Sequence, residues 1–314
     1  MIGVAQRRWI GAVLAGAICI ASSAVLVRLS HSSASAAALF RCAFALPILA
    51  ALDRIEQRRG VARPTRRARW IARASGVLLA ADLIVWTHSI EAVGAGLATV
   101  LGNLQVLVVG LLAWWLFGER VHRSLLVALP IMFTGILLIG GLIGTRSYGA
   151  NPALGVVFGA SSSLLYAAFL LLFRHGMSIR QVGAGTRGSI VAPLYEATLG
   201  AAVSSGVLAI ALEDFRLGPV WPALGWLAVL AITAQVAGWL LITASLPRLP
   251  AALTSALLLV QPVGAVGLGA VTFGERPSVE QLAGVMLILV GVLVAASGEA
   301  RRKPAENLEL AGQL

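Results

Sequence analysis

Charge is scarce in this chain: Asp, Glu, Lys and Arg make up 12% of its 314 residues, against roughly one quarter in ordinary soluble domains. Long polar segments are missing too. The longest, residues 53–73, has 21 residues and is rich in arginine, so no soluble domain is present to carry out chemistry. No glycine loop ends in Lys-Ser or Lys-Thr, which argues against ATP-driven transport within the chain. Only two cysteines occur, Cys19 and Cys42, both inside apolar runs. They read as small buried residues and exclude a disulfide framework. His88 has no second histidine within an apolar run to complete a metal site. No cofactor and no metal are expected.

Apolar sequence is plentiful instead, with 59% hydrophobic residues and a mean hydropathy of +0.90. Runs of roughly 17 to 25 apolar residues can cross a ~30 Å hydrocarbon core. Ten are legible: Trp9 to Leu29, Ala36 to Leu52, Ala74 to Ile90, Ala95 to Phe117, Ser124 to Gly144, Ala153 to Phe173, Ser189 to Leu212, Ala223 to Leu246, Ala251 to Phe273 and Val279 to Ser297. An unpaired amide is too costly in lipid, and alternating polarity is lacking, so each run is expected to be a helix and not a barrel strand. The first run, after Arg7 and Arg8 and with Ala21-Ser22-Ser23-Ala24, also has features of a cleavable signal. An uncleaved first helix makes the count even and the halves equal.

The stretch Ala95 to Arg120 returns 156 positions later as Ala251 to Arg276. Gln105 meets Gln261, and Phe117-Gly118-Glu119-Arg120 meets Phe273-Gly274-Glu275-Arg276. Such a repeat fixes the architecture before any local motif does. The expected fold is all-α and integral to the membrane: ten transmembrane helices as two inverted five-helix repeats. The expected divisions are residues 1–8, a cytoplasmic N-terminus; 9–144, the first repeat; 153–298, the second; and 299–314, a cytoplasmic tail.

Inversion follows from the odd number of spans per half, and charge sets the orientation. Of 24 Lys and Arg, alternation of the spans puts 19 on one side and five on the other (Arg28, Arg41, Arg146, Arg216 and Arg276). The rich side is expected in the cytoplasm, with both termini. The net charge of +11 is therefore a topology signal, touching anionic lipid, and nucleic acid is not an expected partner. Inverted repeats recur in secondary transporters.

Ser22-Ser23-Ala24-Val25-Leu26-Val27-Arg28, Phe40-Arg41, Asn103-Leu104-Gln105 and the two Phe-Gly-Glu-Arg corners resemble the EamA-type members of the drug/metabolite transporter superfamily, over about residues 9 to 298. The resemblance implies a ten-helix carrier of small metabolites, many such proteins being exporters of amino acids or related compounds. One departure stands out: members often carry Pro after the Gln in both halves, whereas here Pro262 follows Gln261 but Val106 follows Gln105.

A solute held between helices needs polar groups in the apolar spans, where each is expensive unless paired or wetted. Arg41, Asp82 and Glu196 are the ionisable ones. At 1.5 Å per residue, Asp82 lies about 14 Å above Arg73 and Arg41 about 18 Å above Asp53, both near mid-depth. Arg41 and Asp82 fit either a static bridge between two helices or contacts to solute; Glu196 fits either solute contact or an interhelical bond. A zwitterion would use them together, its carboxylate on Arg41 and its ammonium on Asp82 or Glu196. Asp82, Trp86 and Ser89 share a helix face. Trp239 and Tyr166 are candidate walls, and Gln105 and Gln261 a neutral polar pair at equivalent positions. Pro262 leaves the Leu258 carbonyl without a helical partner, which makes it a gating or kink candidate. Asp82 and Glu196 are the candidate titrating groups if protons drive transport. Glu119 and Glu275, at helix corners, read as water-exposed caps or salt bridges.

The function that fits best is a secondary transporter exporting a small metabolite across the cytoplasmic (inner) membrane of a prokaryote by alternating access, with the lipid bilayer and a small-molecule solute as partners. Proton coupling and facilitated diffusion fit equally, and oligomeric state is open. The competing class is an intramembrane enzyme acting on a lipid-borne substrate through Asp82, His88 and Glu91. Six positions separate Asp82 from His88, some 240° around a helix, which works against it.

Overall fold

The computed structural model describes residues 4–117, 123–144, 147–178, 189–212, 216, 220–245, 248–249 and 251–311. All regular structure among them is helical. Among the described residues nine stretches are long and apolar enough to cross a membrane, and Arg123–Ile139 is a shorter apolar helix.

The first half comprises α1 (Val4–Ala21), α2 (Ser23–Ser30), α3 (Ala34–Arg58), α4 (Arg66–Val93), α5 (Ala95–Gly102), α6 (Gln105–Phe117) and α7 (Arg123–Ile139). The second comprises α8 (Pro152–Ser178), α9 (Val191–Ala211), α10 (Val220–Leu230), a π-helical turn (Ala231–Gly238), α11 (Trp239–Ser245), α12 (Ala251–Leu258), α13 (Val260–Phe273) and α14 (Val279–Ala311). The α4 helix packs on α8 and α9, α3 on α9, α7 on α14, and α5 on α13. Small residues let these pairs close. A Cβ on Gly76 would strike the Ala197 carbonyl and the Ala201 amide, and one on Gly200 the Arg73 carbonyl, so α4 and α9 meet backbone to backbone. Gly135 approaches the Gly284 carbonyl in the same way, an added Cβ lying 2.7 Å from it.

Four expectations need correction. The first run is interrupted at Ser22, between α1 and α2. The fifth run ends at Ile139 and not at Gly144: Gly141 N–H donates to the Leu138 carbonyl (3.2 Å) and Leu142 N–H to that of Leu137 (3.0 Å), a Schellman turn that stops the helix. The fourth and ninth runs are not continuous helices. The fourth breaks between α5 and α6 and the ninth at Leu259, at positions related by the repeat offset. Pro262 is accordingly the third residue of α13, in a first turn where its missing N–H costs nothing, and not a mid-helix kink.

The first half breaks without proline because side chains take up the freed carbonyls. Asn103 Nδ2 donates to the Thr99 carbonyl (2.9 Å), and Ser163 Oγ to those of Leu101 (2.9 Å) and Gly102 (3.2 Å). The last helices of the two halves are joined by Gln281, which is fully buried. Its amide donates to the Ile139 and Tyr148 carbonyls and accepts from the Tyr148 and Ser278 amides, so all its bonding capacity is used.

Candidate functional site

A cavity of about 340 Å³ lies where the two halves face each other. Arg41 on α3, Asp82 and Trp86 on α4 and Gln105 on α6 line it from the first half. Tyr166 on α8, Trp239 on α11 and Gln261 on α13 line it from the second. The broken helices bring their ends to it through Gly102 and Asn103 on one side and Leu258 on the other.

Arg41 and Asp82 are both buried, at 7% and 6% exposure, yet they do not form an ion pair with each other. Arg41 Nε donates to Gln235 Oε1 at 2.9 Å and its Nη1 to Ser23 Oγ at 3.3 Å. Gln235 sits in the π-helical turn, fully buried, and its Nε2 donates to Thr198 Oγ1 (3.2 Å). The wider π turn, of a kind frequent at functional sites, thus lets the eighth span, tied to α9 through Thr198, hold the Nε–H, while α2 holds Nη1 through Ser23. Of the five N–H donors in the planar fork, both on Nη2 and one on Nη1 remain available to a carboxylate. Asp82 Oδ1 accepts from Ser162 Oγ at 2.6 Å, which fixes the carboxyl plane and leaves Oδ2 to accept. Gln105 Oε1 is buried and has no hydrogen-bond partner, a cost that a solute donor would relieve.

Aromatic rings close one flank. Tyr166 and Trp239 have centroids 6.3 Å apart, and Phe169 and Phe173 pack edge-on to Trp239 at 5.8 and 6.4 Å, inside the usual range for favourable pairs.

Glu196 lies elsewhere. It does not line the cavity but is buried between α9 and α4, bonded to Arg73 and within 3.8 Å of Arg69 Nε. Pro262 is buried and does not line the cavity either. Ser89, on the Asp82 stripe, donates to the Gly155 carbonyl at 2.8 Å and serves helix packing. His88 lies 3.1 Å from Glu91 and beside the Phe158 ring, so the Asp82, His88 and Glu91 set does not converge on one point. Sequence reasoning passed over Gln235, although a glutamine in an apolar span is the same kind of signal as Gln105 and Gln261.

Comparison with known proteins gives one consistent result. The EamA-like transporter family model matches twice, over residues 7–141 and 153–297. A protein of Archaeoglobus fulgidus described as an uncharacterized transporter is 27% identical over 237 residues, covering 76% of this chain and 78% of its own length. A crystal structure superposes with a TM-score of 0.57 at 19% identity, covering 93% of this chain and 98% of the other; at that identity it bears on the fold alone.

Proposed function

Because the chain belongs to the EamA-like transporter family, we propose that this membrane transporter is a secondary carrier that exports a small zwitterion, an amino acid or a close relative, by alternating access. The observation that carries this reading is the complementary pair in the cavity. Arg41 and Asp82 are buried, each oriented by a neutral partner, and neither is neutralised by the other. A carboxylate on the remaining Arg41 donors and an ammonium shared by Asp82 and Gln105 would satisfy all three groups, and charge-assisted bonds of this kind are the stronger ones. The aromatic flank suits a modest apolar side chain.

The halves 9–144 and 153–298 act in this reading as five-helix units threaded oppositely through the inner membrane, with residues 1–8 and 299–314 in the cytoplasm. The duplicated breaks at residues 103–104 and 259 support it, since a solute site at a repeat interface lined by discontinuous helices is a recurrent transporter construction. With Glu196 engaged by arginine, Asp82 is the carboxylate available to exchange protons with solute or water.

Counterflow in proteoliposomes tests the proposal. Labelled neutral amino acids should accumulate against preloaded unlabelled ones. Arg41→Gln and Asp82→Asn, inserted at wild-type levels, should each cut the rate at least about tenfold, the scale of one charged hydrogen bond. Equal rates for sugars and amino acids, or full activity in both variants, would remove the zwitterion reading.

A further inference from the structure

The Phe-Gly-Glu corner after α13 is not a surface cap. Gly274, at φ 63°, takes the left-handed turn that ends the helix and that side chains with a Cβ resist. That turn sends Glu275 back toward the other half, where it is 4% exposed. Its Oε1 accepts from the Ala95 amide (2.7 Å) and its Oε2 from the Gly96 amide (3.1 Å), so one carboxylate occupies the N-terminus of α5, where the helix dipole favours an anion. Oε1 also pairs with Arg28 Nη1 at 2.6 Å, and the Arg28 guanidinium stacks on the Phe273 ring at 4.3 Å.

Space for this contact is made by glycine. A Cβ on Gly94 would lie 2.9 Å from Glu275 Oε1, and one on Gly269 would overlap Oε2. Gly94 also holds φ 93° where α4 hands over to α5. Arg28 and Gly94 link this contact to one space, and α5 links it to another. On one side is a vestibule of about 370 Å³ lined by Arg28, His31, Glu91, Gly94 and Tyr148. On the other, α5 runs eight residues, about 12 Å, to Thr99 and Gly102 in the central cavity. The vestibule lies at the end of the bundle that charge placement puts outside.

From this geometry we infer that Glu275 is a gating residue: its bond to Arg28 and the α5 N-terminus bars the vestibule from the cavity, and release of that bond opens the passage. Phe273 and Gly274 are positioning residues for the same latch, one under the guanidinium and one at the turn. The inference rests on the carrier reading for its consequence, but its test needs no solute, so the two can fail separately.

The test is accessibility. In a background with Cys19 and Cys42 replaced by alanine, Thr99→Cys reports the cavity, and a membrane-impermeant maleimide is applied to proteoliposomes from the vestibule side. Glu275→Gln and Arg28→Gln, each losing one charge of the pair, should raise the labelling rate of the reporter at least about fivefold. Glu275→Asp, which keeps the charge, should stay nearer wild type. A merely structural role predicts a lower melting temperature with unchanged labelling, and that result in the two neutral variants overturns the inference. If one variant fails to insert, the other decides.

Discussion

At the residue scale, two buried carboxylates, Asp82 on α4 and Glu196 on α9, illustrate how environment divides chemically identical groups. Asp82 has one hydroxyl partner and faces a cavity, whereas Glu196 has Arg73 and Arg69 and faces packed helix. Substitution should separate them. Glu196→Gln should lower the melting temperature of the detergent-purified protein by several degrees while leaving the counterflow KM within about twofold. Breaking a fully buried pair costs about 3–5 kcal/mol, but these arginine side chains are 33% and 43% exposed, so water takes up much of the loss. Gln235→Leu should do the reverse. It touches no solute in the proposed pose, yet it frees Arg41 to rotate and should raise KM about tenfold with a smaller change in melting temperature. A large KM effect from Glu196→Gln would return that residue to the solute site. Arg41 and Asp82 stood out in sequence because charge is rare in lipid. Their partners did not, because Gln and Ser are common there and only the fold says which one meets which charge.

Elements were legible in proportion to how far hydropathy alone decides them. Membrane crossing depends on a sum over about twenty residues, and the apolar runs survive errors at any one of them. Breaks depend on one or two backbone bonds. Proline announces the interruption at Leu259, but nothing in Val100 to Val106 announces its counterpart, which exists because Asn103 and Ser163 bond the freed carbonyls. The π-helical turn was invisible for the same reason: tertiary contacts stabilise it and composition does not. If the two breaks are equivalent, the missing proline is a difference of chemistry and not of geometry. Val106 is the second residue of α6, and its amide makes only a 3.2 Å bond to the Asn103 carbonyl. Val106→Pro should therefore be tolerated, at a cost of about 1 kcal/mol, against about 3 kcal/mol or more for proline inside a continuous helix. Thermal melting would show a shift of a few degrees at most, with counterflow retained. Loss of the folded protein would mean that the first half needs a continuous helix here.

At the scale of the whole molecule, the duplicated family match, the paired breaks and the cavity at the seam between halves all express one duplication. Symmetry is not complete: the π-helical turn belongs to the eighth span and has no counterpart in α4, and the first span breaks at Ser22 whereas α8 is continuous. A carrier needs its two end states close in energy, because a solute shifts the balance only by its difference in affinity for them. In the proposed reading, opposed threading of two similar units would supply that closeness, and local asymmetry would then set which state is favoured without solute. The threading can be tested apart from any transport assay. Arg120→Cys and Arg276→Cys alter positions related by the repeat; Arg276 is exposed and Arg120 lies outside the described residues. An impermeant thiol reagent should reach the first only from the cytoplasmic face and the second only from the opposite one. Labelling of both from one face would place the halves in parallel, and alternating access by exchange of equivalent shapes would then lose its structural basis.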